Sequence, residues 1–288
     1  MNTKAELFDR SLLAARRRRG QSMDHDGDFL CRHIADGLLE RLDEINRDFT
    51  LALDHGGNFT PFAQLPDGCT PTVQSPVRPD ADIQEDEEFL PVEQGSFDLV
   101  LSNLVMHSIN DLPGTLIQIN RALKPDGLFL GSLFGGETLT ELRQSFLQAE
   151  AKITGGAAPR VAPFGDIRDL GALLQRAGFA LPVADSERLT VTYDHPVKLL
   201  HDLRAMGETN ILFDRSRKPL RRDVLMAAFD HYIKKYAQPD GRIFATFDIV
   251  YLTGWHPHES QQKPLKPGTG KVSLGDALSG KISPKTKT

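Results

Sequence analysis

The sequence predicts an α/β protein with a single sheet, helices on both of its faces and an antiparallel strand at its end. Short apolar runs alternate with helically spaced apolar residues across residues 96–143, a pattern typical of parallel strands joined by helices. A helix predicted over residues 219–236 separates two segments with strand-like character, residues 186–193 and 242–253. This arrangement favours an antiparallel last strand that closes the sheet.

The composition limits the possible functions. The chain has 288 residues, of which 40% are hydrophobic and 25% are charged, with a net charge of −5; this suits one large domain with a sizeable core and argues against bulk nucleic-acid binding. No apolar stretch approaches the ~18 residues of a membrane helix. Cys31 and Cys69 show no metal spacing, which favours a reducing compartment and no metal site. The N-terminus lacks the apolar core of a signal peptide. Arg16–Arg19 could indicate a mitochondrial presequence, but Glu6 and Asp9 lie in the same predicted helix, and we therefore expect a cytoplasmic protein of bacterial type.

Two helices are predicted ahead of the first strand. Apolar residues recur at helical spacing over residues 4–19 and 28–46, so each segment has one face for packing. The first strand is predicted at residues 49–54. We expect residues 1–47 to form an N-terminal helical cap and residues 48–258 to form the main domain.

The block that begins at residue 96 is the most informative part of the chain. Residues 98–102 form an apolar run typical of a buried parallel strand. Asp111, followed by a proline, predicts a helix start. Lys124–Gly127 predicts the end of that helix and a turn, and residues 128–133 predict a second buried strand.

Thr138 and Glu141 have the spacing of a capping box, which predicts that the next helix begins there. The remaining elements are predicted as helices at residues 166–177, 196–206 and 219–236 and as strands at residues 186–193 and 242–253. We expect residues 195–240, approximately, to form a helical insertion on the substrate side of the domain. The Lys-, Gly- and Pro-rich residues 259–288 predict a mobile tail.

Candidate site residues follow the two strands of the central block. Ligands of open α/β sheets bind beyond the carboxyl ends of the strands, where Ser102, Asn103 and His107 follow the first strand and Glu137 follows the second. His107 is the candidate general base, and Asn103 and Glu137 are the other candidate catalytic residues. Two alternatives stay open: His107 as a loop histidine satisfied by hydrogen bonds, and Glu137 as an acid favoured at a helix N-terminus.

A series of short motifs in a fixed order carries a family resemblance. The motifs are Phe8–Arg10, Leu51–Asp54, Asp86–Pro91, Phe97–Asn103, Ala122–Gly127, Phe134–Leu139, Met206–Asn210, Gly254–Trp255 and His258–Ser260. In these motifs the chain resembles the class I S-adenosylmethionine-dependent methyltransferases, and within them most strongly the complex I assembly factor 5 family. The malonyl-carrier-protein methyltransferases of biotin synthesis are more distantly similar.

The resemblance implies a function in the maturation of respiratory complex I, with a subunit of that complex as the protein substrate. It also implies modification of a protein arginine, described for mitochondrial members as hydroxylation rather than methylation. Glu137 and Glu208 would give an acidic rim suited to an arginine. Two alternatives stay open: a methyltransferase-like assembly scaffold that has lost its cofactor, and a carboxyl methyltransferase of a malonyl-carrier protein. Whether the chain is an enzyme is therefore also open.

The cofactor implied by the resemblance is S-adenosylmethionine, unless changes in its site have removed it. The family places a glycine-rich loop after the first strand; this chain keeps Asp54 and Gly56, adds Gly57, and has Asn58 and Thr60 at the two other glycine positions.

Downstream of this loop, Asp86 matches the acidic residue that accepts a hydrogen bond from the adenine amino group in the family. Together with Glu87, Ser102 and Asn103, Asp86 completes the predicted cofactor contacts. Five prolines between residues 61 and 79 forbid a multi-turn helix. We therefore expect the first half of the sheet to be shortened, with one helix and most of the second strand missing.

Overall fold

The computed structural model describes residues 6–23, 29–58 and 65–262. Thr60 and most of the tail predicted at residues 259–288 lie outside the described residues. The chain divides into two units, Met1–Pro257 and His258–Thr288. In the second unit, the described residues form a turn in which the Gln261 N–H donates to the His258 carbonyl at 3.3 Å.

The six strands of the sheet have the order β2-β1-β3-β4-β6-β5. They are β1 (Leu51–His55), β2 (Thr70–Gln74), β3 (Phe97–Asn103), β4 (Leu123–Phe134), β5 (Ala180–Tyr193) and β6 (Ile243–Trp255). Strands β2, β1, β3 and β4 are parallel, while β6 is antiparallel to β4 and to β5. The predicted α/β sheet with an antiparallel last strand is confirmed.

Helices cover both faces of the sheet. Those of the described residues are α1 (Arg10–Gln21), α2 (Phe29–Asp43), α3 (Leu112–Ala122), α4 (Thr140–Thr154), α5 (Ile167–Arg176), α6 (Pro196–Ala205) and α7 (Arg222–Tyr236). Helices α2, α4, α6 and α7 contribute to one apolar cluster, and α3 and α5 to a second cluster that includes other strand residues. None of the helices in the described part of the chain has the length and apolar character that a membrane span requires.

The second strand is present, although the density of prolines predicted that most of it is missing. Strand β2 pairs with β1 along its whole length, from Leu51 opposite Thr70 to His55 opposite Gln74. It tolerates Pro71 because it lies at the edge of the sheet. Residues 75–96 then contain turns and isolated bridges, with no helix or extended strand. The shortening therefore removes the strand and helix after β2, not β2 itself.

The N-terminal cap is tied to a distant loop. Helix α1 begins at Arg10, later than the predicted residue 4, because the Asp9 side chain accepts from the Leu12 N–H at 3.0 Å and acts as its N-cap. The Asp9 N–H donates to the Ile211 carbonyl at 2.9 Å, and Phe8 forms an antiparallel bridge with Leu212. The start of α1 is thus fixed to the loop that follows α6.

The predicted turn at Lys124–Gly127 is a bulge inside β4. Leu123 pairs with Phe97, but the next pair joins Leu128 to Leu99, so the extra residues loop out of register. Asp126 adopts φ 63° within this bulge. The helix α3 therefore ends directly in a strand, since the extended residues find partners on β3.

The predicted capping box at the start of α4 is wrong. Thr138 Oγ1 donates to the Asp248 carbonyl and accepts from the Asp248 N–H, both at 3.0 Å. Glu141 is buried and accepts from the N–H and hydroxyl of Thr246. Both side chains prefer these partners on β6 because the strand packs against the helix start. They position the loop between β4 and α4 beside the cavity described below.

Candidate functional site

A cavity of about 220 Å³ lies beyond the carboxyl ends of β3 and β4. His107 reaches it from a short 3-10 turn, Met106–Ser108, that follows β3. Phe134 reaches it as the last residue of β4, and Glu208 reaches it from the loop after α6. Most of the remaining wall is apolar and includes Phe164. The cavity therefore offers a few polar groups inside an aromatic and aliphatic enclosure, which is typical of ligand sites.

His107 and Glu208 form the polar centre of the cavity. His107 Nε2 lies 3.0 Å from Glu208 Oε2, and the histidine side chain is only 3% exposed. The imidazole ring is 4.7 Å from the Phe134 ring and 5.9 Å from the Phe164 ring, between centroids. Nδ1 of His107 is buried without a hydrogen-bond partner among the described residues. The pair is held rigidly, yet retains unused hydrogen-bonding capacity.

The carboxylate of Glu208 is stabilised in its ionised form. Burial raises the pKa of Glu208, but the charge and hydrogen bond of His107, helped by Arg17, outweigh it, so that the pKa lies below its ordinary value. Within the described part of the chain, no hydrogen bond reaches Glu208 Oε1, the second carboxylate oxygen. Glu208 can therefore accept from a ligand while it remains bound to His107.

The two arginines of the cavity wall do not pair with Glu208. Arg160 is bound to Glu150, whose Oε1 accepts from Nε at 2.8 Å and from Nη2 at 2.5 Å. Arg204 is exposed. The Glu208 oxygen that His107 does not use can therefore accept from a cationic ligand group that also contacts the aromatic rings.

The structure brings only one of the three candidate catalytic residues into this cavity. His107 lines it, and its role as a general base stays a prediction. Asn103 is fully buried: its Nδ2 donates to the carbonyls of Cys31 and Asn58, and its Oδ1 accepts from Ser132. Glu137 is exposed and is not part of the lining. Asn103 therefore connects structural elements, and Glu137 has no contact through which it could act on a ligand in this cavity.

Sequence reasoning missed the pairing of His107 with Glu208 because 101 residues separate them. It also missed Arg160 and Phe164 as wall residues. The motif Met206–Asn210 was the available signal for Glu208, since it fell in the substrate-side insertion. No spacing in the sequence indicates which strand end that motif approaches.

The glycine-rich loop after β1 turns sharply, as expected, and packs closely against two other segments of the chain. Gly56 has φ 109°, and a Cβ there would lie 2.3 Å from Val105 Cγ2. Gly57 has φ 70°, and its Cβ would lie 2.8 Å from the Ser75 Cβ. Among the described residues, the close approaches that require these glycines are to side chains of the same chain.

The acidic residues predicted to bind the cofactor are held by arginines of α1. Asp86 accepts from Nε and Nη2 of Arg10 at 3.0–3.2 Å. Glu87 is 1% exposed and pairs with Arg10 and, at 2.8 Å, with Arg17 Nη1. We call these four residues the arginine–carboxylate clamp.

The buried His55 extends the clamp toward β3. Its ring contacts the Glu87 carbonyl at 2.9 Å and Ser102 Oγ at 3.1 Å. Burial lowers the pKa of His55, which favours its neutral form. Ser102 is therefore used inside the protein as well, and it is not displayed to a ligand.

The described residues do not fit S-adenosylmethionine in the arrangement that the family uses. The strand β2 ends in Gln74, where the family has an acid for the ribose hydroxyls. Gln74 Nε2 donates to the carbonyls of Asp86 and Phe89, and its Oε1 is buried without a partner in the described ranges. Asp86, the carboxylate predicted to bind the adenine amino group, is paired with Arg10. The contacts predicted for Asp54, Gly56, Gly57, Asn58, Asp86, Glu87, Ser102 and Asn103 therefore stay predictions.

Titration of the purified chain with S-adenosylmethionine tests this mismatch. We expect no saturable binding below about 1 mM ligand, which corresponds to a binding free energy weaker than about −4 kcal/mol, because the clamp uses the carboxylates that would hold the nucleoside. Isothermal titration calorimetry measures it, with S-adenosylhomocysteine as a second ligand. Micromolar binding would show that the clamp opens and that the loop after β1 still forms a cofactor site.

Comparisons with known proteins match both the sequence and the fold to methyltransferases. A family model described as methyltransferase domain matches residues 28–182. A solved structure, the YcgJ protein from Bacillus subtilis, superposes with a TM-score of 0.51 at 14% identity, covering 78% of this chain and 99% of that chain. At this identity the similarity shows the fold alone, which is that of the class I methyltransferases.

Curated relatives are similar over nearly the whole chain. Arginine-hydroxylase NDUFAF5, mitochondrial, from Danio rerio is 39% identical over 286 residues, covering 94% of this chain and 89% of the relative. The Homo sapiens protein of the same name is 39% identical and covers 89% and 77%, respectively. A malonyl-[acyl-carrier protein] O-methyltransferase from Gallionella capsiferriformans is 37% identical over 172 residues, covering 60% and 57%.

The prediction of a cytoplasmic protein of bacterial type is wrong. The relatives from Danio rerio and Homo sapiens are mitochondrial by name. The prediction rested on a missing apolar signal-peptide core and on Glu6 and Asp9, two acids in the same predicted helix as Arg16–Arg19. Mitochondrial targeting uses amphipathic, arginine-rich segments, so the absence of an apolar core could not distinguish the two compartments.

Proposed function

We propose, from the premise that this chain belongs to the family of the arginine-hydroxylase NDUFAF5, a function on a protein arginine during the assembly of respiratory complex I. Through that family the chain also belongs to the methyltransferase-domain proteins. The observation that carries the proposal is the ionised Glu208 at the inner end of an aromatic cavity. The relatives that are 39% identical are named for an arginine reaction, and this cavity has the chemistry that recognises arginine.

A guanidinium group fits the cavity in two ways. It is a planar cation that donates to carboxylates, and Glu208 Oε1 is available to accept from it. It also stacks on aromatic faces, and the rings of Phe134 and Phe164 lie beside the His107 ring and 5.8 Å from each other, between centroids. A lysine ammonium would use the charge but not the flat surfaces. The arrangement therefore favours arginine over lysine.

His107 has a positioning role in this proposal. Its hydrogen bond fixes Glu208 Oε2, which leaves the other oxygen directed at the ligand. The buried Nδ1, which has no partner among the described residues, adds a second polar group at the same depth. Whether His107 also moves a proton stays a prediction. The binding and orientation of the arginine that we propose use only side chains of this chain.

Mass spectrometry of a protein substrate tests the proposal. Purified chain is incubated with segments of complex I subunits that contain arginine, in the presence of cell extract that supplies small-molecule co-substrates. We expect an arginine-specific gain of one oxygen atom, as the names of the relatives imply, and not of one methylene group. Dissolved dioxygen would supply this oxygen atom, and a two-electron reductant of the extract would reduce the second oxygen atom to water. Heat-inactivated chain is the control. Absence of any arginine-dependent binding or product would reject the proposal.

A non-catalytic assembly role is the second candidate, and the arginine–carboxylate clamp favours it. A chain whose cofactor groups are used internally could still bind an arginine and hold a subunit during assembly. This candidate predicts arginine-dependent binding without a change in mass. The carboxyl methyltransferase alternative is less favoured, because the malonyl-carrier relative matches only 60% of the chain.

A further inference from the structure

A second, open cavity of about 440 Å³ adjoins the first and is rich in arginine. Its walls include four arginines together with Leu12, Asn210 and Ser216; we call it the arginine pocket. The four arginines are Arg16, Arg160, Arg215 and Arg217. Arg160 and Asn210 line both this pocket and the cavity that holds Glu208. One ligand can therefore occupy both sites at once.

Three of the four guanidinium groups are fixed by the protein. Arg16 donates to the Asn210 carbonyl. Arg215 donates to Asp9 Oδ2 at 3.0 Å and to the Leu212 carbonyl at 2.8 Å. Arg160 is bound to Glu150. Since these bonds hold the side chains in place before any ligand arrives, the pocket is preorganised.

Arg217 differs from the other three. It is exposed, and no hydrogen bond or ion pair within the described ranges uses its guanidinium group. It is therefore available to a ligand and can be replaced without breaking a contact that supports the fold.

The pocket carries more positive charge than its neighbours neutralise. Four arginines face two paired carboxylates, Asp9 and Glu150, which leaves an excess of two positive charges. Burial lowers the pKa of Arg16, and repulsion from Arg215 and Arg19 lowers it further. A bound anion would relieve this repulsion.

We propose, as an extension of the proposed function, that the arginine pocket binds an aspartate or glutamate side chain of the substrate protein. The modified arginine would enter the cavity with Glu208, and a nearby acidic residue would enter the arginine pocket. An extended peptide advances about 3.3–3.6 Å per residue. Because one arginine side chain lines both sites, we expect the acidic residue within about four positions of the modified arginine.

Paired peptides test this proposal by fluorescence anisotropy. The first peptide carries an arginine and an aspartate two positions apart, the second has asparagine in place of aspartate, and the third has lysine in place of arginine. We expect the asparagine peptide to bind wild-type chain about tenfold more weakly, as for loss of one charge-assisted contact. A higher ionic strength should reduce this difference in affinity.

The variant Arg217→Gln tests whether the difference in affinity between the aspartate and asparagine peptides arises in the arginine pocket. We expect this variant to reduce the advantage of the aspartate peptide to about threefold or less, while Lys218→Gln, at the next position but outside the pocket lining, keeps it. Malonate serves as a free carboxylate probe. If malonate binds more tightly than the aspartate peptide, the pocket serves a small acid and the proposal is overturned.

The remaining outcomes separate this inference from the proposed function. If the aspartate and asparagine peptides bind equally well and both need their arginine, the proposed binding of arginine in the cavity with Glu208 is supported and the proposal for the arginine pocket is rejected. If the lysine peptide binds as well as the arginine peptides, the proposed function itself falls. If no peptide binds, both are rejected.

Discussion

Replacement of Glu208 by glutamine is expected to weaken the binding of an arginine-containing peptide by about 10- to 100-fold. A hydrogen bond that involves a charged group contributes about 1.5–3 kcal/mol, and each 1.4 kcal/mol is tenfold in affinity. The glutamine keeps the size of the side chain and a carbonyl that can accept from the guanidinium group. It removes the negative charge that the carboxylate places in the aromatic cavity.

Calorimetry with wild type and variant measures this change, and Glu137→Gln is the matched control. Glu137 is exposed and does not line the cavity, so we expect its variant to bind like wild type. Circular dichroism shows whether each variant is folded. Equal affinity of wild type and Glu208→Gln would remove the observation on which the proposed function rests, whereas an effect of Glu137→Gln would place the arginine elsewhere.

The pH dependence of the same binding gives an independent check. The pKa of Glu208 lies below its ordinary value of 4.5, so the carboxylate stays ionised from neutral pH down to that value. Binding should therefore hold through pH 5 and fall only as the pH approaches the lowered pKa. The lowered pKa of Glu208 should make the stability of the fold depend on pH in the same direction. This contribution to stability is fully present well above pH 4.5 and is lost as the pH falls through the lowered pKa. Glu208→Gln should show neither dependence.

Replacement of Glu87 by glutamine is expected to lower the free energy of unfolding by about 3–5 kcal/mol, the usual effect of removing one partner from a buried ion pair. Glu87 is 1% exposed and joins Arg10 to Arg17. Arg10 keeps Asp86 in the variant. Arg17 would lose its ion pair while it stays buried, and its Nη2 already has no partner among the described residues.

Urea denaturation measures this loss, with Lys198→Ala as the control. Lys198 forms an exposed ion pair with Asp194, and pairs of that kind contribute little. Gly207, the neighbour of Glu208, packs against Arg17: a Cβ there would lie 2.9 Å from Arg17 Cγ. We therefore expect Glu87→Gln also to weaken arginine binding. Similar stability of Glu87→Gln and Lys198→Ala would mean that the clamp is not a stabilising element.

The central block shows what local sequence could predict. The strand at residues 98–102, the helix start at Asp111 and the strand at 128–133 depend on apolar periodicity and on proline, and all three are present. The same rules failed at Thr138 and Glu141. A capping box assumes that no better partner is available, and strand β6, more than 100 residues away in sequence, supplies one.

Local patterns in the sequence were enough to predict the α/β class, the antiparallel last strand and the shortened first half of the sheet. These features follow from local periodicity, from the density of prolines and from family motifs, all of which can be seen within short segments. The three-dimensional arrangement was needed to show that Glu208 pairs with His107, that Arg10 and Arg17 hold Asp86 and Glu87, and that an arginine pocket borders the cavity. The reason is physical: a buried charge is stable only beside its partner, and the partner is chosen by packing across the fold rather than by its place in the chain.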